Sequence, residues 1–248
     1  MKKLFAIVAV ATLLFACSDE KGNDNNPNNQ GGPSSDYTMP ISIDGNFADW
    51  DALDAGKVAV ATLPEGPVKY DALKTLKVYA DEYFIYAYIE FDDTALVDKE
   101  MVPAHFYINT DNNPLTGGGD ALWIDCDADH LFEGFIYDQG SMCSYDPNVY
   151  AWHGFDNEPD WLWGAEEEAV LFSGVGMSKG AGKVDENGVG AYEFSFIIDL
   201  LPFELADTFT VGVGIQQNWD SVGMLPCNLT STDDPEGSAE KLVVTIDK

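Results

Sequence analysis

The chain has 248 residues, of which 46% are hydrophobic, so it can bury a core and does not read as a disordered polypeptide. It carries 43 Asp and Glu against 12 Lys and Arg, a formal net charge of −31 at pH 7. A field of that sign repels phosphate backbones and anionic lipid headgroups, which argues against nucleic acid as a partner. It is compatible with neutral ligands and divalent cations, and equally with simple solubility.

The chain begins with MKKLFAIVAVATLLFAC, in which two lysines precede an apolar run from Leu4 to Ala16 and a cysteine. This run is short for a membrane span and has the layout of a secretory signal. LFAC resembles the lipobox of bacterial lipoproteins, although Phe15 is larger than the residue usually found there. The resemblance implies a signal peptide over residues 1–16 and lipidation of Cys17, and an ordinary secreted protein is the alternative.

Residues 17–40 are rich in Asn, Gly, Ser and Pro, a composition that predicts a flexible tether. The acidic residues just after Cys17 resemble the export tags of surface lipoproteins in glycan-degrading Gram-negative bacteria. This resemblance implies a lipid anchor in the outer membrane with the protein exposed at the cell surface. A periplasm-facing anchor is the alternative, and the folded domain is expected over residues 41–248.

From Ile41 onward, short runs rich in β-branched and aromatic residues recur between Asp, Asn, Gly and Pro. The predicted strands, in chain order, are ISIDG, VAVATL, LKVYAD, YFIYAYIEF, HFYINTD, ALWIDCD, LFEGFIYD, AVLFSGVGM, AYEFSFIIDL, TFTVGVGIQQN and KLVVTID. Helical signals are limited to single turns in DALKTL and LPFELAD. Many short strands without a repeat predict an all-β fold, a single antiparallel β-sandwich of jelly-roll type with long functional loops.

Two of these runs predict how strands lie in the sandwich. YFIYAYIEF is apolar on both faces, as expected of a central strand covered on both sides. AYEFSFIID places Tyr192, Phe194 and Phe196 on one face and Glu193 and Ser195 on the other, which predicts a half-exposed strand.

The segment ISIDGNFADWDAL followed by LKVYADEYFIYAYIEFDD resembles the opening of family 9 carbohydrate-binding modules and their relatives. The residues that fit the family pattern are Ile43, Asp44, Gly45, Asp49, Trp50, Asp81, Ile85, Tyr86 and Asp92. The resemblance covers about the first quarter of the domain and implies a sandwich that binds sugar, with calcium used in the family. Similar sandwiches also serve other functions. Trp50 lies inside the fold motif and is predicted to be a core residue.

Oxygen-bearing side chains are densest between INTDNNPLTGG and DCDADHLFE. Calcium takes six to eight oxygen ligands, which Asp and Asn side chains and loop carbonyls supply. The sequence therefore predicts a calcium site that uses Asp111, Asn113, Asp125, Asp127 and Asp129. A solvated acidic strand face and turn is the alternative.

Three of the cysteines, Cys126, Cys143 and Cys227, follow the lipobox. Export permits one disulfide and leaves one thiol, and spacing does not select among the three pairings. No Cys-x-x-Cys pair is present, which argues against a thiol-based zinc site.

Catalytic motifs are weak. A glycosidase needs two carboxylates at a defined separation, and nothing singles out a pair among 43 acids. GMSKGAGKV has the wrong spacing and ending for a phosphate loop. We therefore expect a protein without enzymatic activity, with a glycoside hydrolase as an alternative.

Two aromatic and polar stretches, WHGFDNEPDWLW and GIQQNWD, have the composition of sugar sites, in which rings stack on sugar C–H groups and polar side chains bind hydroxyls. The predicted sugar-binding residues are Trp152, Trp161, Trp163 and Trp219, with Asn218, Gln216 and Asp156 orienting hydroxyls. Burial in the core is the alternative for each tryptophan.

These observations together predict a cell-surface lipoprotein that takes part in glycan utilisation. It would bind a polysaccharide or oligosaccharide without cleaving it, with Ca²⁺ bracing loops and with glycan-processing or import proteins as partners. The main alternative is a protein-binding or adhesion module in which the tryptophans form the energetic centre of the interface.

Overall fold

The computed structural model describes residues 36–113, 115–118, 127–152, 163–165, 178–226 and 241–248, with the backbone alone for 163–165. Within these ranges the chain forms thirteen strands, one short helix and two 3-10 turns. The first seven strands are β1 (Ala59–Thr62), β2 (Leu73–Ala80), β3 (Phe84–Asp92), β4 (Met101–Asn109), β5 (His130–Asp138), β6 (Ser141–Met142) and β7 (Asn148–Trp152). The other six are β8 (Trp163–Ala165), β9 (Ser178–Val184), β10 (Val189–Ile197), β11 (Thr208–Gln217), β12 (Asp220–Leu225) and β13 (Leu242–Thr245).

The strands form two sheets that pack against each other. The five-stranded sheet has the order β1-β2-β3-β10-β9, and the larger sheet has the order β12-β11-β4-β5-β7-β8, with β13 on β11 and β6 on β5. All pairs of these strands are antiparallel. The predicted all-β antiparallel sandwich is thereby confirmed. β3 lies in the middle of its sheet, as its two apolar faces predict.

Alternation along the strands builds the core between the sheets, because every second side chain points toward the opposite sheet. Phe196 on β10 meets Phe132 on β5 with ring centroids 4.4 Å apart, and Phe106 on β4 lies 5.4 Å from Phe196. Each of these rings is fully buried. Burial of one such side chain stabilises the fold by about 1.5–3 kcal/mol.

A third layer covers the outer face of the five-stranded sheet. It consists of residues 37–53, which end in the helix α1 (Ala48–Ala52). Trp50 on this helix is 4% exposed and packs against Tyr88 of β3, so the prediction that it is a core residue is confirmed. Because this layer is present, β10 is buried on both faces, and the prediction of a half-exposed strand is wrong: Glu193 and Ser195 are buried.

Glu193 holds the third layer on the sheet. Its Oε1 accepts hydrogen bonds from the backbone N–H groups of Asp44 (3.0 Å) and Gly45 (2.8 Å), and its Oε2 accepts one from Trp50 Nε1 (3.0 Å). Burial raises the pKa of this carboxyl although the three donors act to lower it. Gly45 has φ +79°, which only glycine adopts readily, so the turn that aims its N–H at Glu193 requires this residue.

Several predicted elements take another form. ISIDG forms bends that lead into α1, and DALKTL, predicted as a helical turn, lies at the start of β2. LPFELAD, the other segment predicted to form a helical turn, contains no helix. A 3-10 turn lies just before it, at Ile198–Leu200. GMSKGAGKV contributes β9, an edge strand, in keeping with the rejection of a phosphate loop. ALWIDCD, except its last residue, and AVLFSGVGM lie outside the described residues.

Tyr37, four residues before the expected start of the domain, already contacts the sandwich. Its phenol donates to the Oδ2 of Asp81 at 2.5 Å. No helix in the described part of the chain is long and apolar enough to cross a membrane.

Candidate functional site

The described tryptophans predicted to bind sugar lie at two ends of the larger sheet. The backbone N–H of Trp152 donates to Asp129, just before β5, whereas the ring of Trp219 lies 6.5 Å from that of Phe135, near the other end of β5. Positions 129 and 135 are about 20 Å apart along an extended strand. Trp152 and Trp219 therefore do not form one narrow site.

Trp219 stands at the tip of the β11–β12 hairpin. Gln217 pairs with Asp220, so Asn218 and Trp219 form a two-residue loop. Both loop residues have positive φ, +50° and +66°, as a type I′ turn requires. Asn tolerates this conformation, but glycine is the usual second residue, because a Cβ there is unfavourable. The Trp219 side chain is nevertheless 54% exposed, so burial of its ring does not explain why tryptophan occupies this position.

Phe135 extends the exposed aromatic surface of Trp219. It lies on the outward face of β5, is half-buried, and meets Trp219 edge to face at an interplanar angle of 76°. Two further apolar side chains at this end of the sandwich are exposed, Val97 (89%) and Met101 (41%). We call Phe135, Trp219, Val97 and Met101 the apolar tip.

The connection between β3 and β4 that carries Val97 is fixed in place by buried polar contacts. Asp93, 8% exposed, accepts a hydrogen bond from Tyr137 at 2.6 Å and pairs with Lys99 at 2.5 Å. Lys99 also lies over the ring of Tyr137. The Nε2 of Gln217 donates to the Asp98 carbonyl at 3.1 Å, which ties this connection to the hairpin. The apolar tip is therefore preorganised.

Gln216, predicted to orient sugar hydroxyls, is 8% exposed and lies behind the apolar tip. It lines a cavity of about 10 Å³ together with His105, Tyr107 and Gly214. A cavity of that size holds about one water molecule, so it is too small for a sugar. His105 is a buried polar residue of this cavity. Its Nδ1 is 3.1 Å from the Tyr107 hydroxyl. Its Nε2 is 3.0 Å from Glu133, but the angle between the groups does not meet that of a hydrogen bond.

Trp152 lies at the opposite end of β5. It is half-buried, packs against the main core, and its ring covers Gly118 so closely that a Cβ there would come within 2.1 Å of it. The backbone of Trp152 pairs with that of Trp163 on β8. The two ends of WHGFDNEPDWLW are thus neighbouring strand residues, and part of Trp152 is used for packing.

The acidic loop after β4 lies at the same end as Trp152. The Oδ1 of Asp111 accepts hydrogen bonds from the backbone of Asn113 (2.9 Å) and the hydroxyl of Thr116 (3.2 Å). Asp129 reaches the start of this loop, where its Oδ2 accepts from the N–H (2.8 Å) and hydroxyl (3.0 Å) of Thr110. The fold therefore brings Asp111, Asn113 and Asp129 into one region.

Asp127 is directed elsewhere, because its carboxylate pairs with Lys241. Among the residues that the structure describes, no group of three or more His, Cys, Asp and Glu side chains is arranged to hold a metal ion. The calcium site stays a prediction, with Asp111, Asn113 and Asp129 as the predicted ligands that lie together.

Asn109 is a residue that the sequence reasoning missed. It is 3% exposed, its Nδ2 donates to the Asn113 carbonyl at 3.3 Å, and its Oδ1 makes no hydrogen bond within the described chain. A buried amide oxygen without a partner is uncommon and is the kind of oxygen that binds calcium. Phe135 was missed as well, because a phenylalanine in a strand is ordinarily assigned to the core.

Three predicted sugar or metal residues, Trp161, Asp156 and Asp125, lie outside the described residues, as does the lipidation residue Cys17. The same holds for Cys126 and Cys227. Cys143 is a free thiol whose Sγ donates to the Phe135 carbonyl, and burial raises its pKa.

The entry point of the described chain and the apolar tip are at opposite ends of the sandwich. Tyr37 contacts Asp81, which lies just before β3. Asp93 and Asp98 follow the other end of β3. They bind Tyr137 and Gln217, which lie next to the strand ends that carry the apolar tip. The nine residues of β3 span about 30 Å.

Comparison with known proteins adds no assignment: no protein-family model and no curated protein matches this sequence.

Proposed function

We propose that this protein is a non-catalytic carbohydrate-binding lipoprotein, anchored in the outer membrane through Cys17 and exposed at the cell surface. The apolar tip stacks on the C–H faces of sugar rings in a polysaccharide or oligosaccharide. In glycan utilisation it would hold glycan close to processing enzymes or import proteins. The likeness of its opening segment to family 9 carbohydrate-binding modules agrees with this proposal.

The observation that carries the proposal is Trp219. A tryptophan in the left-handed region costs conformational energy, about 1–3 kcal/mol, and such residues cluster at binding and active sites. This ring is also 54% exposed, although its burial would stabilise the fold. Both features weaken the folded state, so we infer that the ring is retained for a ligand.

The surroundings of Trp219 suit a neutral ligand. The acidic balance of the chain, 43 acids against 12 bases, disfavours anionic ligands. Asn218 on the same turn has an amide that donates to and accepts from hydroxyls. The contacts of Gln217 and Lys99 fix the loops beneath the ring, so little conformational entropy is lost when a ligand binds.

We further propose that Ca²⁺ braces the loop after β4. Asp111, Asn113 and Asp129, with the amide oxygen of Asn109, would supply oxygen ligands, which is the chemistry that calcium prefers. The bound ion would neutralise part of the local negative charge and hold the loop close to Trp152.

A second candidate function is a protein-binding or adhesion module. The observation that favours it is the exposure of Val97 and Met101 at the same end of the sandwich as Trp219, because exposed apolar residues around an aromatic anchor are typical of protein interfaces.

The test is a titration of intrinsic tryptophan fluorescence with a panel of soluble glycans, performed with and without a calcium chelator. We expect a saturable change with one glycan class in the wild type, and loss of binding in Trp219→Ala, which is followed by calorimetric titration because that variant lacks the reporter ring. Trp219→Phe should retain part of the affinity because it keeps an aromatic face. Val243→Ala on β13 is the matched control, because Val243 is also 54% exposed.

An unchanged response in Trp219→Ala, or no response to any glycan, would refute sugar binding at the tip. Capture of a protein partner that is lost in both Val97→Asp and Trp219→Ala would then favour the second candidate. Release of reducing ends from a bound glycan would show a hydrolase instead. Loss of the fluorescence response on chelation would link the calcium site to glycan binding.

A further inference from the structure

A second concave surface lies at the far end of the sandwich from the apolar tip. It is an open groove of about 330 Å³, formed where the first described residues meet the turn before β3 and the end of the chain. The residues that define it, which we call the tyrosine groove, are Tyr37, Lys57, Tyr79, Asp81, Tyr83 and Asp247. Its volume is within the range of small-molecule sites.

Two carboxylates line the groove, and each accepts a hydrogen bond from the phenol of a tyrosine. Tyr37 donates to Asp81 at 2.5 Å and Tyr79 donates to Asp247 at 3.1 Å. The two aspartates are backbone neighbours, because Asp81 and Asp247 form a parallel β-bridge. Burial raises the pKa of both phenols, so they remain hydrogen-bond donors at every physiological pH.

Each carboxylate keeps one acceptor position. Asp81 accepts hydrogen bonds from the backbone of Tyr83 and of Phe84 and from the phenol of Tyr37. Asp247 accepts from Tyr79 and, through both oxygens, from Lys57 at 2.8 Å. A carboxylate offers about four acceptor positions, so one on each aspartate has no donor in the described chain. Two acceptors on neighbouring residues match two neighbouring hydroxyl groups.

An aromatic wall stands beside these acceptors. Tyr83 is half-buried, and its ring meets that of Tyr37 edge to face, with centroids 4.7 Å apart. This contact fixes the orientation of the Tyr83 ring. Because the ring is only half-buried, part of its surface is available to the C–H face of a sugar.

The charges in the groove favour a neutral occupant. Lys57 already occupies the position on Asp247 that a ligand ammonium would take. A metal ion is disfavoured too, since the described residues include no set of three metal-binding side chains arranged around one point.

From the paired acceptors, the fixed aromatic wall and the volume, we propose that the tyrosine groove is a second sugar-binding site that accepts a vicinal diol of a neutral monosaccharide unit. It is separated from the apolar tip by about the length of β3, so one glycan chain or two could be held at the two sites.

The test is saturation-transfer NMR on the full-length protein with methyl glycosides of glucose, galactose, mannose and xylose. The Trp219→Ala variant is used so that the apolar tip does not contribute. We expect transfer to at least one glycoside in this variant, a loss of about tenfold or more in Trp219→Ala/Tyr83→Ala, and retention in Trp219→Ala/Tyr83→Phe. Thermal unfolding of each variant verifies that Tyr83→Ala is folded.

Transfer in the wild type that vanishes in Trp219→Ala would overturn the tyrosine groove and leave the proposed function standing. Transfer that persists in Trp219→Ala/Tyr83→Ala would place the second site elsewhere and also overturn the proposal. A response to ethylamine without a response to any glycoside would show an amine site instead. Transfer that depends on Tyr83 but not on Trp219 would support the groove and argue against the apolar tip.

Discussion

At the scale of single residues, Trp219 combines an exposed ring with a strained backbone conformation. Its φ of +66° would be relaxed by glycine, which with the preceding Asn218 would give the Asn-Gly sequence preferred in type I′ turns. Selection for stability alone would favour that sequence. The choice of tryptophan therefore has an energetic consequence that can be measured.

We expect Trp219→Gly to be more stable than Trp219→Ala by about 1 kcal/mol, because both lose the ring but only glycine adopts positive φ without steric cost. Both variants should lose glycan binding to the same extent. Urea unfolding and the fluorescence titration measure the two quantities. Equal stability of the two variants would show that the turn is not strained.

His130 is a second residue whose surroundings predict a measurable effect. Its ring stacks on Phe203 with centroids 4.0 Å apart, its Nδ1 is buried without a partner in the described chain, and burial lowers its pKa to about 4. The unfolded chain binds a proton near pH 6.5, whereas the folded protein does not until about pH 4. Stability is therefore lost as the pH falls from about 6.5 towards 4.

Between pH 7 and pH 5, His130 should lower the free energy of unfolding of the wild type by about 2 kcal/mol. In His130→Gln this contribution should be absent, so the difference in unfolding free energy between wild type and variant should shrink as the pH is lowered. Urea unfolding at pH 5, 6 and 7 measures it. A difference that does not vary with pH would mean that folding does not change the pKa of His130.

At the scale of elements, residues 37–53 convert a two-layer sandwich into three layers. The contact that matters most is the carboxylate of Glu193, because it binds two backbone donors of the bend and the indole of α1 together. These residues are distant in sequence, since the three hydrogen bonds join positions 143 to 149 residues apart.

Trp50→Phe keeps most of the apolar packing but leaves the Oε2 of Glu193 buried without its donor. Such an unsatisfied group costs about 1–3 kcal/mol. We expect Trp50→Phe to be destabilised by that amount, with Glu186→Gln, a change at an exposed glutamate in the β9–β10 turn, as a nearly neutral control. In a double-mutant cycle with Glu193→Gln, strictly additive costs would contradict the contact.

The same elements show what the sequence could and could not predict. Apolar runs identified β3, β5, β10 and β11 because their hydrophobic pattern reflects burial directly. β6, β7, β8, β9 and β12 were missed, since glycine and polar residues dominate β9 and the other four strands have six residues or fewer. The burial of Glu193 could not be predicted, because its partners are about 150 residues away and alternation alone places an acid on the solvent side.

The candidate site shows a similar division. The sequence indicated Trp219 at a strand end, but its separation from Trp152 depends on strand register, which composition does not reveal. The sequence also grouped the five predicted calcium ligands by their proximity along the chain. In the fold, Asp127 pairs with Lys241 instead of joining the other acids. The buried amide of Asn109, which the sequence did not single out, lies in the region of the loop.

At the scale of the whole molecule, the net charge of −31 acts on stability without a specific partner. Like charges on the folded surface repel one another, and salt screens this repulsion over about 10 Å at 0.1 M ionic strength. Unfolding moves the charges apart, so the repulsion favours the unfolded chain.

We therefore expect added NaCl to stabilise the fold by about 1 kcal/mol, which raises Tm by about 2–4 °C for a chain of this size. Affinity for a neutral glycan should stay constant over the same salt range. Calorimetric scans and titrations at low and moderate salt test both statements. A Tm that falls with salt would indicate that ion pairs such as Lys57–Asp247 outweigh the repulsion.

The placement of Tyr37 and Trp219 at opposite ends of β3 has a mechanical consequence. When the chain before Tyr37 is anchored and a glycan pulls on Trp219, the tension runs parallel to the strands. The first contacts to carry that load would be those that hold residues 37–53 on the five-stranded sheet, the hydrogen bond from Tyr37 to Asp81 and those to Glu193. The third layer would then act as the mechanical link between the strands and an anchor.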